Sequence, residues 1–156
     1  MRLLNVENLC KSFGGLKAIN ALDFQVDEGE IVGIIGPNGS GKTTFLNLLT
    51  GFLKPNTGKI TFRGQDITGL ARYKVSQKGM GRTFQLCKPF LEFTALQNVM
   101  VGRAYGQEPS KNMKTAANES REMLDLVGLG NKAEILVKDL TVMERKRLEL
   151  ARALAT

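Results

Sequence analysis

Gly36-Pro37-Asn38-Gly39-Ser40-Gly41-Lys42-Thr43 lies between two segments of opposite character, and the reading of the whole chain turns on it. Before it runs Ile31-Val32-Gly33-Ile34-Ile35, β-branched and polar on neither face. That pattern predicts a strand covered on both sides, as in a parallel sheet flanked by helices. After it, Thr43 to Leu53 reads as a helix, with Phe45, Leu46, Leu48, Leu49 and Phe52 as its apolar face.

The eight residues fit the pattern G-x-x-x-x-G-K-[ST], and each position has a physical role. Gly39 and Gly41 permit backbone conformations that a β-carbon obstructs, so that successive N–H groups can turn inward onto an anion. The helix that follows brings its unbonded N-terminal amides and positive dipole end to the same place. Lys42 can neutralise phosphate oxygens, and the Thr43 hydroxyl suits Mg²⁺, a cation that prefers oxygen ligands. The candidate phosphate-binding set is therefore Gly36, Pro37, Asn38, Gly39, Ser40, Gly41, Lys42, Thr43 and Thr44. A chance glycine-rich turn with a surface lysine is the bland alternative. A buried-type strand before the loop and a helix after it both argue against that alternative.

Further out, Leu3–Val6 and Ala21–Val26 read as strands, the second alternating as Leu22, Phe24, Val26 before a turn at Asp27-Glu28-Gly29. Lys59–Arg63 is a third strand, a short helix is expected around Thr68–Val75, and a strand is expected to end at Gln85. Tyr105 to Asn112 is an exposed loop. Lys114–Val127 is helical with Gly128 as its stop, and most of Leu140–Thr156 is helical with no C-cap, so the chain reads as stopping inside an element. The sum is an α/β core followed by a helical region.

Composition is that of a globular protein, 42% hydrophobic and 24% charged over 156 residues. The net charge is +7 with no histidine, but the basic residues are dispersed. The densest group, Arg145-Lys146-Arg147, is flanked by Glu144 and Glu149. A solvated surface plus a nucleotide site accounts for this better than direct nucleic-acid binding. Cys10 and Cys87 match no metal spacing, and the absence of a signal-like start favours a reduced intracellular setting. Ile31–Ile35 is far short of the roughly 20 residues needed to cross a bilayer, so a membrane role would be peripheral.

Reading outward from the phosphate loop, the chain resembles ABC-type ATPases over essentially its whole length. Leu9 to Ala18 resembles the family's strand-and-turn with an aromatic residue for adenine. The resemblance puts Phe13 against the base and Ala18 beside base or ribose. Gly81-Arg82-Thr83-Phe84-Gln85 resembles the Q-loop, which implies that Gln85 lies near Mg²⁺ and the attacking water. Lys42 and Gln85 are thus the expected catalytic pair. Phe93 to Gly102 resembles the segment where a helical region begins and the transmembrane partner docks. Leu140-Thr141-Val142-Met143-Glu144 occupies the place of the signature, usually Leu-Ser-Gly-Gly-Gln, and Arg145 to Leu154 matches the family's helix. The resemblance implies that Thr141, Val142, Met143 and Glu144 face ATP held by a second subunit. β-Carbons at 142 and 143 and a carboxylate at 144 predict weaker capping.

The wording from Leu140 to Thr156, with Gly-Arg-Thr-Phe-Gln and Asn-Val-Met-Val-Gly, is similar to ATP-binding subunits of branched-chain amino acid importers. The resemblance therefore implies a phosphate-loop core over about 1–90, with an N-terminal β-subdomain, and a helical region over about 91–156. It implies ATP and Mg²⁺ as ligands. The implied partners are permease subunits, a second ATP-binding subunit and, indirectly, a solute-binding protein, at the cytoplasmic face of a membrane. The family's Walker B strand, D-loop and switch histidine follow the signature helix and are not among these residues. The span is therefore expected to be an N-terminal fragment that binds ATP without hydrolysing it. Two other readings remain: a soluble ABC-type ATPase acting on nucleic acid or ribosomes, and a non-hydrolysing nucleotide-binding module.

Overall fold

Gly14-Gly15 closes the first hairpin, and Gly14 takes the left-handed conformation (φ 56°) that tight two-residue turns demand. The computed structural model describes residues 1–84 and 88–156. The hairpin joins β1 (Arg2–Phe13) to β2 (Leu16–Asp27), both longer than the strands expected from Leu3–Val6 and Ala21–Val26. The extra length is made possible by bulges. Asn8 and Ala21 sit at positive φ where the register shifts, and their amides are taken by the Asp23 carboxylate (2.6 Å) and the Cys10 sulfur (3.2 Å). An irregular stretch of ladder thus keeps its donors satisfied.

β3 (Thr57–Phe62) and the two-residue β4 (Gln65–Asp66) complete an antiparallel sheet of order β2-β1-β3-β4. The helix α1 (Lys42–Leu49) buries Phe45, Leu48 and Leu49, with the Phe45 ring edge-on to Phe24 of β2 at 5.1 Å between centroids. Leu46 and Phe52, expected on the buried face, are exposed, because the helix is eight residues long and buries only one stripe. A short helix α2 (Arg72–Ser76) follows, and Val75 is buried.

The largest departure from expectation is Ile31–Ile35. The segment is not a covered strand: among the described residues nothing pairs with it, and Ile31 and Ile35 are almost fully exposed. An apolar run becomes a strand only when neighbours accept its backbone bonds. The strand expected up to Gln85 is also not formed over 79–84, and Gln85 itself lies outside the described residues.

Residues Met1–Val75 and Ser76–Thr156 form two separate compact units. In the second, α3 (Ala95–Tyr105), α4 (Met113–Leu126) and α5 (Val142–Leu154) pack around Leu96, Val99, Leu124, Val137, Leu148 and Ala151. Each helix start is specified locally. Thr94 with Gln97 and Thr141 with Glu144 form capping boxes, and the Asn112 side chain accepts from the Thr115 amide. Gly128, at φ 72°, lies just beyond the end of α4. No helix among the described residues is long and apolar enough to cross a membrane.

Candidate functional site

The phosphate loop folds locally even though the segment before it is unpaired. Gly41 is the N-cap of α1 at φ 90°, a left-handed conformation, and a β-carbon there would stand 2.6 Å from the Ala18 carbonyl oxygen. Position 41 therefore excludes every other residue twice, by backbone preference and by space. Gly39 is also left-handed (φ 83°), but its surroundings are open. Because the N-cap is glycine, no side chain bonds the first-turn amides of α1. They are left for an anion.

Lys42 doubles back over this cradle. Its ammonium donates to the carbonyl oxygens of Gly36 and Pro37, both at 2.7 Å, and approaches the Ser40 hydroxyl at 3.4 Å. The Ser40 amide closes the turn onto the Pro37 carbonyl at 3.3 Å. A positive charge is thus held across the loop mouth by neutral acceptors that anionic oxygens outcompete. The exposed Thr43 and half-buried Thr44 occupy the next positions of the helix. Beside the loop is a cavity of about 410 Å³ lined by Ala18, Asn20 and Leu22 of β2 together with Gly36, Ser40 and Lys42. The structure brings Ala18 and the loop together on the wall of one cavity.

Phe13 does not line that cavity. It is at the end of β1, beside the hairpin turn, 46% exposed and therefore not a core residue. The Lys11 ammonium lies over its ring, 5.4 Å from the centroid. Gln85, expected near a metal, lies outside the described residues.

The signature segment lies in the second unit, at the start of α5. The Thr141 hydroxyl accepts from the Glu144 amide (3.3 Å), while the Glu144 carboxylate accepts from the Thr141 amide (2.9 Å) and pairs with the Lys132 ammonium. These bonds, the one from Lys132 foremost and the Thr141 amide next, hold the Glu144 carboxyl down from its ordinary 4.5 to about 2. Glu144 therefore fills its own helix end instead of projecting into solvent, whereas Val142 and Met143 project outward with 74% and 61% exposure.

Two positioning residues escaped the sequence reading. Asn98 is fully buried, and its amide pairs with both the N–H and C=O of Phe90 (2.9 and 3.0 Å) and donates to the Thr94 carbonyl (3.0 Å). It fastens the loop before α3, and a polar residue between the core residues Leu96 and Val99 was the available signal. Lys132, the partner of Glu144, gave no local signal, because the pair joins residues twelve apart across a turn.

The match to known proteins agrees with this geometry. The family model described as "ABC transporter" fits residues 19–156. The chain belongs to the ABC transporter family. Family membership carries ATP hydrolysis as the family's activity. Among its relatives, the probable branched-chain amino acid transport ATP-binding protein LivG of Archaeoglobus fulgidus is 35% identical, covering 99% of this chain and 63% of that protein. The high-affinity branched-chain amino acid transport ATP-binding protein LivG of Salmonella typhimurium is 37% identical, covering 99% of this chain and 65% of that one. The chain thus spans just under two thirds of the length of these curated relatives. The ADP conformation of MJ1267, an ATP-binding cassette of an ABC transporter, superposes with a TM-score of 0.86 at 32% identity, covering 99% of this chain and 65% of that cassette. The dimeric bacterial ABC transporter cassette MJ0796 superposes with a TM-score of 0.84 at 25% identity, covering 98% of this chain and 69% of that one.

Proposed function

We propose that the chain is the nucleotide-binding part of an ATP-binding subunit that drives uptake of branched-chain amino acids or similar solutes. The observation that carries the reading is the Gly36–Thr43 cradle, with Lys42 poised across it and bare helix amides beneath. In this reading the amides from Gly39 to Thr43 and the Lys42 ammonium hold the β- and γ-phosphates, while Pro37, Asn38 and Ser40 shape the loop. Phe13 offers a ring to adenine, and Ala18 lies along the base or ribose. The Thr43 hydroxyl would hold Mg²⁺ with Gln85. That ion would supply charge neutralisation between the phosphates, and an exposed hydroxyl on the first helical turn suits an oxygen-seeking cation.

The amino acid specificity rests on the names of the two curated relatives, both branched-chain amino acid transport ATP-binding proteins. The same kinship argues for permease subunits and a second ATP-binding subunit as partners, with Thr141 to Glu144 facing the partner's nucleotide, and for a peripheral place at the cytoplasmic membrane face. It also favours the two units being parts of one ATP-binding domain, with the phosphate-loop core over about 1–90 and the helical region over about 91–156. It disfavours a nucleic-acid or ribosome-directed ATPase. By itself the 156-residue span is expected to bind Mg·ATP without turnover, since no histidine is present and its Asp-Glu pair, Asp27-Glu28, stands at the end of β2 and not on a strand following the signature helix.

Titration of the chain with Mg·ATP, followed by amide NMR shifts, tests the core of the reading. Shifts concentrated at 36–44 and abolished by Lys42→Ala are expected. Unchanged loop amides at millimolar nucleotide would overturn it.

A further inference from the structure

We propose that Lys11 is a positioning residue for the adenine platform, holding one face of the Phe13 ring so that the opposite face receives the base. The inference rests on the reading of Phe13 as the adenine contact and adds to it a residue to which that reading gave no role.

Three observations support the inference. Phe13 is nearly half exposed, so it is not held by a surrounding core and could swing between rotamers. The Lys11 ammonium stands over its ring at 5.4 Å from the centroid, within the range of a cation–π contact. That ammonium is itself anchored, donating to the Lys54 carbonyl oxygen at 2.7 Å. The anchor point is fixed in turn. Asn56 binds β1 twice, its side-chain oxygen accepting from the Ser12 amide at 2.7 Å and its amide donating to the Cys10 carbonyl at 2.9 Å. The loop 54–56 therefore holds the lysine, and the lysine holds the ring.

Two consequences follow. With one face of Phe13 covered by a cation, only the other is open to a planar ligand, so stacking becomes one-sided. The ring is also ordered before the ligand arrives, so less side-chain entropy is lost on binding. Both effects act on the base alone. Lys11 should matter for ATP and be indifferent to a ligand with the same phosphates and no base.

The test compares Mg·ATP with inorganic tripolyphosphate, by calorimetric titration of the full chain and of Lys11→Met, Lys11→Arg, Phe13→Ala and Lys11→Met/Phe13→Ala. Methionine keeps an apolar stem of similar length and loses the charge, while arginine keeps a cation able to stack. Lys11→Met is expected to weaken ATP binding about 2–5-fold, the scale of one partly exposed cation–π contact, and to leave tripolyphosphate binding unchanged. Lys11→Arg should restore most of the loss, and Lys11→Met should add nothing once Phe13 is alanine. If Phe13→Ala leaves the ratio of ATP to tripolyphosphate affinity unchanged, the adenine platform falls, and this inference with it. If Phe13→Ala lowers the ratio but Lys11→Met does not, the inference alone is overturned. It is likewise overturned if the Lys11→Met loss persists without Phe13 or extends to tripolyphosphate.

Discussion

Two helices begin in opposite ways, α1 at Lys42 and α5 at Val142. The N-cap of α1 is Gly41, which contributes no side-chain acceptor, so its first-turn amides stay open beneath a lysine held by two carbonyl oxygens. The N-cap of α5 is Thr141, whose hydroxyl and the Glu144 carboxylate bond each other's amides while Lys132 balances the charge. Both ends carry the same partial positive charge from the helix backbone. One is left available to an external anion and the other is already supplied with an internal one. A helix N-terminus becomes a ligand site only when its own side chains leave it empty.

This contrast yields predictions of decreasing size. Lys42→Ala should weaken Mg·ATP binding about 100-fold or more by titration calorimetry, because a charge-assisted contact to phosphate is lost outright. A loss of less than about threefold would mean that the amides alone carry binding.

The two loop glycines should separate. Gly41→Ala meets both a left-handed backbone and the Ala18 oxygen, and should cost about 1–3 kcal/mol in urea unfolding while also removing ATP binding. Gly39→Ala meets only the backbone preference, in open space, and should cost about 1 kcal/mol. Equal effects would show that crowding at Ala18 is unimportant.

At the other helix, Thr141→Ala should cost about 1 kcal/mol of stability without altering the ATP affinity of a single chain, since within that chain Thr141 is a cap and the nucleotide it is proposed to face is the partner's. A loss of ATP affinity in the isolated chain would blur the distinction between the two ends.

The smallest effect is a pH dependence. The folded state depresses the Glu144 pKa from 4.5 to about 2, so its stabilising contribution is complete above about pH 4.5 and disappears as pH falls toward 2. Glu144→Gln keeps the reciprocal amide bonds but cannot titrate. Thermal unfolding between pH 5 and pH 2 should fall less steeply in this variant than in the parent chain, and identical profiles would count against the Lys132–Glu144 pair.

Much of the local structure was legible because it depends on neighbours in sequence. Gly128 was read as the stop of α4, and α4 and α5 were bounded to within about two residues, whereas the equally local capping boxes of Thr94 with Gln97 and Thr141 with Glu144 went unread. The strands were placed but shortened, because the bulges at Asn8 and Ala21 interrupt the alternation on which strand reading depends. Ile31–Ile35 was misread for a different reason. Its β-branched residues express a preference for extended backbone, but burial needs a neighbouring strand, and among the described residues none is supplied. Glu144 was read as a charge facing phosphate, yet its partner Lys132 comes from a preceding turn that no pattern linked to it.

The chain's own residue order determined the phosphate cradle, the helix ends and the family, since all three rest on short-range backbone geometry or on motifs a few residues long. Tertiary structure alone decided that Gly41 abuts Ala18, that Lys11 covers Phe13, that Asn98 fastens Phe90 and that Glu144 turns back to Lys132. These contacts join atoms that are near in space but separated along the chain. Their energies depend on distance and desolvation, quantities that exist only once the backbone has been brought together.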